Sequence, residues 1–187
     1  MEIQINRLLD LDVDLLKDVN RTVQLYVYAA IGFLVPFFLG HPQLLVGAVV
    51  NTMLITSALE SRGHRVLLPL AVMPSLGVLS RGLLFGPFTP FLIYMLPAVW
   101  VGNLVLMVLV RSLKARAGKN YWVSLGLGAG AKTLFLYSSA LVMVSLGFVP
   151  AMFLDAMGLT QLWTALAGGA IAFALLKTSA LRRLSGL

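Results

Sequence analysis

The chain has 187 residues, 59% of them hydrophobic and only 11% charged, with a mean hydropathy of +0.93. Soluble domains carry about 25% charged residues, so this composition excludes an ordinary soluble domain and predicts an integral membrane protein. The absence of cysteine removes disulfides, thiolate metal sites, iron–sulfur clusters and a cysteine nucleophile from the chemistry of this chain. The net charge of +7 belongs to loops between apolar stretches, which is topology rather than a nucleic-acid surface.

Residues 1–21 form the first element, a short amphipathic segment. Ile5, Leu8, Leu9, Leu15, Leu16 and Val19 fall near one helical face, with the charges largely elsewhere, as in a helix lying at the membrane interface. The start is acidic and no small-residue cleavage site follows the apolar run, so it does not read as a signal peptide. Asp10, Asp12 and Asp14 imitate the opening of a calcium loop. Leu15 stands where that loop needs glycine, and Arg21 where it needs a bidentate glutamate.

Residues 22–187 then read as a domain of six membrane-crossing helices. The expected spans are Thr22 to Leu39, Gln43 to Leu59, Val66 to Leu84, Pro87 to Val110, Tyr121 to Val149 and Gly158 to Leu176. Gly40-His41-Pro42 predicts a tight turn after the first. Pro69 and Pro74 predict a kinked third span. A short loop with Pro150 and Asp155 is expected before the sixth. Of the 14 Lys and Arg, all but Arg81 and Lys132 fall in the N-terminal segment, the loops at 60–65 and 111–120, or the C-terminal stretch. The alternate loops around His41, Gly86 and Asp155 have no Lys or Arg. The positive-inside rule therefore places both termini in the cytoplasm. Gly126 and Gly130 in the fifth span, and Ala165, Gly168, Gly169 and Ala172 in the sixth, predict close helix packing.

The fifth span is where chemistry enters. From Tyr121 to Val149 it carries one charge, Lys132. At about 1.5 Å rise per residue that lysine lies roughly 16 Å from Tyr121, near the middle of a hydrocarbon layer about 30 Å thick. An ammonium there costs at least about 2.5–3.5 kcal/mol unless it meets a polar cavity or a partner. Its two readings are a group lining a ligand site and a structural lysine bonded to carbonyls of a neighbouring helix.

Other chemistries fail on the residues. Gly126 to Thr133 approximates a phosphate-binding loop, but Ala131 replaces the glycine before the lysine and the context is a span. His41 and His64 lie in loops on opposite sides, and no two carboxylates share a span, so no metal site is expected. No Gly-x-Ser-x-Gly occurs and neither histidine lies mid-span, which argues against an intramembrane serine protease. With no catalytic constellation and no cofactor motif, the chain reads as a non-enzyme.

The polar residues are instead biased towards the outer half. Arg81 lies near the outer end of span three, Tyr137 in the outer part of span five, and Gln161 and Thr164 in the first turns of span six. Asn51 and Lys132 are deeper. This distribution predicts a ligand pocket open to the outside, lined by Lys132, Arg81, Tyr137, Gln161 and Asn51. Two cations against one acid, Asp155, favour an anionic small molecule. Tyr121, Trp122 and Trp163 are expected as interfacial anchors, and Asn103 as an interhelical hydrogen-bonding group.

Asn51-Thr52, Arg81 to Pro90, Gly102-Asn103, Lys132 to Tyr137 and Gln161 to Gly169, set in six short spans with proline-broken third and fourth members, resemble the substrate-binding S components of energy-coupling factor (ECF) transporters. The chain is similar too to a group of small prokaryotic six-span membrane proteins. The resemblance implies a multi-pass protein of the prokaryotic cytoplasmic membrane that captures a vitamin- or anion-like solute from outside. A transmembrane coupling subunit and ATPases would supply the energy. The family's Ala-x-x-x-Ala docking pattern in the first span is missing here, where Ala29, Ala30 and Gly32 stand instead. The competing expectation is a structural or assembly subunit of a larger membrane complex, with no ligand of its own.

Overall fold

The structure, a computed structural model, describes residues 22–61 and 67–185, with side chains as far as Thr178. The expected amphipathic helix over 1–21 and most of the basic loop at 60–65 lie outside the described residues. Within them the chain is all-helical: α1 (Thr22–Phe38), α2 (Gln43–Glu60), α3 (Leu67–Arg81), α4 (Leu92–Arg111), α5 (Tyr121–Ser145), α6 (Met152–Met157) and α7 (Leu159–Ser185). A 3₁₀ turn, Gly86–Phe91, leads into α4, and a π turn, Ser112–Arg116, prolongs it. Four segments are long and apolar enough to cross a membrane: Gln43–Glu60, Gly86–Arg116, Tyr121–Ser145 and Met152–Thr178. α1 and α3 are apolar but shorter.

The elements begin and end where the local chemistry requires. Asn120 caps α5, its Oδ1 accepting from the Trp122 amide at 2.8 Å. Gly147, with φ +76°, ends α5, while Phe148 N–H reaches back to the Met143 carbonyl at 2.9 Å. That pairing is a Schellman stop, and it closes the helix short of the expected Val149. Between Pro150 and Gly158 a short helix, α6, replaces the expected loop, because Phe153, Ala156 and Met157 bury an apolar face against the bundle. Pro69 falls in the first turn of α3, where a missing N–H costs nothing, so only Pro74 interrupts the helix interior.

α2 is the central helix. It packs most extensively on α7 and also meets α3 and α4, while α4 packs along α5. Small residues make the closest approaches. A Cβ on Gly168 would stand 2.6 Å from the Ala48 carbonyl oxygen, and one on Gly47 would stand 2.6 Å from the Thr164 methyl. Thr52 Oγ donates to the Gly168 carbonyl across the same crossing at 3.1 Å. The small residues of the last helix therefore pack as expected. Gly126 and Gly130 do not: a Cβ at either would meet nothing within 4 Å. They lie off the core face of α5, which runs through Leu125, Ala129, Lys132, Leu136 and Ala140. The outer face of that helix carries Leu127, Leu134 and Leu141, exposed by 49–69%, an apolar surface suited to lipid.

The core is divided. Leu125 and Ala129 belong to one apolar cluster with Ile55, Leu106 and Ala165. About two turns further along, Leu136 and Ala140 belong to another, with Met95, Phe153 and Met157. Lys132 occupies the core position between the two.

Candidate functional site

Helical spacing alone dictates that Lys132 points inward. It stands three residues after Ala129 and four before Leu136 on a stripe whose other members are buried apolar side chains. The lysine is 2% exposed. Its Nζ donates to Asn51 Oδ1 on α2 at 2.8 Å. Asn51 is held in turn, its Nδ2 donating to the Gly47 carbonyl at 2.9 Å and to Thr164 Oγ1 on α7 at 3.2 Å. Both amide protons thus have acceptors, which orients the amide oxygen towards the ammonium. Thr164 passes its own proton to the Gln161 carbonyl at 3.1 Å. The result is a chain of polar contacts from α5 through α2 to α7.

This cluster borders a cavity of about 90 Å³. Lys132, Asn51, Gln161 and Thr164 line it, together with Gln43 at the start of α2 and Asn103 on α4. Pro36, Leu84, Phe85 and Met157 line it on the side of the turns that follow α1, α3 and α6. Phe85 is held there by stacking on Phe153, with ring centroids 5.3 Å apart and planes 4° from parallel. The segment carrying Phe85 leaves α3 through Gly82, whose φ of +67° only glycine adopts freely. Thr89 Oγ1 pins it by donating to the Gly82 carbonyl at 3.0 Å. The cavity therefore lies in the half of the bundle whose loops lack Lys and Arg.

Of the five expected site residues, Lys132, Asn51 and Gln161 come together at this cavity. Arg81 and Tyr137 are not among its lining. Arg81 is exposed, its guanidinium 5.5 Å from the centre of the Phe37 ring, because it ends α3 at the bundle rim. Tyr137 is 41% exposed and rests against Gly158, one position past the inward-facing Leu136. Asp155 is exposed as well. Among the described residues the pocket thus holds one cation rather than two, and no carboxylate lines it.

One further expectation changes. Trp122 and Trp163 are exposed at 51% and 63%, as anchors should be, but Tyr121 is buried and donates to the Gly169 carbonyl at 2.6 Å. Asn103 forms its expected interhelical bond, Nδ2 to the Ala71 carbonyl at 2.9 Å, and lines the cavity besides. Gln43 escaped the sequence reading, although Gln43, Gly47 and Asn51 are spaced four apart on one ridge of α2. That spacing was the signal that could have found it.

No protein-family model, curated protein or solved structure matches the chain. The geometry of the site is therefore what bears on function. A volume of about 90 Å³ holds a few waters or a small solute, and is well below the roughly 300–1,000 Å³ of pockets for drug-sized ligands. Among the described residues no group of three His, Asp or Glu converges to hold a metal ion.

Proposed function

We propose that this protein is a six-span membrane protein with both termini in the cytoplasm, and that it captures a small polar solute from the outer side at Lys132. The reading rests on one observation above others: a buried ammonium, hydrogen-bonded to Asn51, faces a polar-lined cavity between helices. An intramembrane ionisable group in that setting is by default a functional one. The side to which the cavity lies carries the loops without Lys or Arg, so under the positive-inside rule it is the outer side.

The resemblance to ECF S components supports a role as the solute-binding subunit of an importer, and Ala131 stands where a phosphate-binding loop needs glycine. On that resemblance, a transmembrane coupling subunit and ATPases would power transport across the prokaryotic cytoplasmic membrane. The volume favours a solute of a few heavy atoms; a vitamin-sized ligand would extend beyond the cavity. The competing role, an assembly subunit without a ligand, draws on the unpartnered Gly126 and Gly130 face.

The test is thermal unfolding of the purified full-length protein against a panel of small anions, neutral polar solutes and vitamins. Saturable stabilisation by some member of the panel, lost in Lys132→Met, is expected. A flat response to every solute would favour the assembly role.

A further inference from the structure

We infer that the ligand at Lys132 is a small monovalent anion, of the size of chloride or formate. The inference rests on the solute-binding reading above and narrows it by charge, by donor geometry and by size.

Charge comes first. Of the seven Asp and Glu, only Glu60 and Asp155 lie beyond Asp18. Glu60 ends α2 and accepts from the Tyr28 hydroxyl at 2.6 Å, while Asp155 is exposed on α6. Neither lines the cavity, so among the described residues Lys132 has no carboxylate counter-ion. A buried ammonium without one is costly, and the Asn51 carbonyl dipole offsets only part of that cost. A monoanion balances the single charge. A dianion would leave a net negative charge in the same low-dielectric site.

The donors agree. An ammonium has three N–H groups, and among the described residues one of them is used, on Asn51. Two are left for the cavity. Gln43, Thr160 and Gln161 add side-chain donors around the same space. A cation would meet the like charge of Lys132. Size narrows the choice: about 90 Å³ takes up chloride or formate whole, whereas a carboxylate with a large substituent would have to leave that substituent outside the cavity.

The protein contains a reporter. Trp100 Nε1 donates to Ser75 Oγ at 2.7 Å, and Ser75 lines the cavity. With Trp122 and Trp163 replaced by Phe, Trp100 is the sole tryptophan. Its emission, with calorimetry in parallel, is followed while sodium chloride or sodium formate replaces sodium gluconate at constant ionic strength. Formamide serves as the neutral counterpart of formate, and sulfate as the dianion. Saturable binding of chloride and formate is expected, with formamide and sulfate at least tenfold weaker. Lys132→Gln should weaken the anions by at least tenfold. Asn51→Asp supplies a fixed carboxylate to the ammonium, at the cost of the amide's bond to the Gly47 carbonyl, and should bind no chloride.

Equal binding of formamide or sulfate would overturn the monoanion assignment, as would undiminished chloride binding in Asn51→Asp. Absence of chloride and formate binding overturns it too. If another solute of the wider panel still stabilises the protein through Lys132, the solute-binding reading survives that loss; if none does, both fall.

Discussion

Lys132 on α5 and Asn51 on α2 meet at 2.8 Å although their helices do not pack along one another. α5 packs mainly on α4, and α2 mainly on α7. The long lysine stem spans the space between the two pairs, and the cavity is what remains of that space. A shorter cation would not reach Asn51, and an apolar residue would leave its amide oxygen unpaired.

Asn51→Leu should therefore destabilise the protein by about 2–3 kcal/mol, since it strands a charged donor and breaks the bond to Thr164. Lys132→Met removes the charge itself, keeps most of the volume and leaves only the neutral Asn51 oxygen unpaired, so its cost should be the smaller, about 1–2 kcal/mol. Equilibrium unfolding in mixed micelles compares the two. The larger loss is expected from the asparagine substitution, even though the lysine is the residue proposed to bind solute.

The small residues of α5 and α7 predict opposite responses to the same change. Gly168→Ala sets a methyl 2.6 Å from the Ala48 carbonyl oxygen, a backbone atom that cannot swing aside. It should cost about 1–3 kcal/mol. Gly126→Ala and Gly130→Ala meet open space, so each should be neutral or stabilise by up to about 1 kcal/mol through helix propensity. Thermal unfolding of the three single variants gives the comparison. A large loss at Gly130 would mean that another chain covers that face.

How much of this was legible in the sequence depends on which residues one asks about. The inward aim of Lys132 follows from its place among Leu125, Ala129, Leu136 and Ala140, and the loops of α2, α4 and α5 follow from where the basic residues cluster. Position along a span, however, does not fix azimuth. Tyr137 sits at the right depth and faces the wrong way, one residue beyond the core stripe. Arg81 is close to the cavity in sequence but ends its helix at the rim. Gly126 and Gly130 have the spacing of a packing motif on a face that meets nothing among the described residues. α6 was hidden because its six residues are too few for periodicity to register, and its apolar face makes sense only beside Phe85 and α5.

Tyr121 shows the same limit and gives a prediction. Its hydroxyl ties the start of α5 to the Gly169 carbonyl on α7. Tyr121→Phe keeps the ring edge-on to Trp122 and tilted against Phe173 and removes only that bond, so a loss of about 0.5–1.5 kcal/mol is expected in chemical unfolding. Trp122→Phe, at an exposed position, should change stability by less than about 0.5 kcal/mol.

Topology can be tested without background, because the chain has no cysteine. Single cysteines at His41 and Gly147 should react with a membrane-impermeant thiol reagent added to intact cells. Cysteines at Ser61 and Ala117 should react only after the membrane is opened. The reverse pattern would invert the orientation derived from the loop charges.

The account depends most on an outward-accessible cavity at Lys132, and silver ion, which is small enough to enter it, tests this directly. Lys132→Cys is placed in sealed, right-side-out vesicles, silver is applied from outside, and thiols that remain are labelled after denaturation. Loss of labelling is predicted for silver outside and not for silver confined to the lumen. A cysteine that stays fully labelled after outside treatment, or is blocked only from the lumen, would contradict the account.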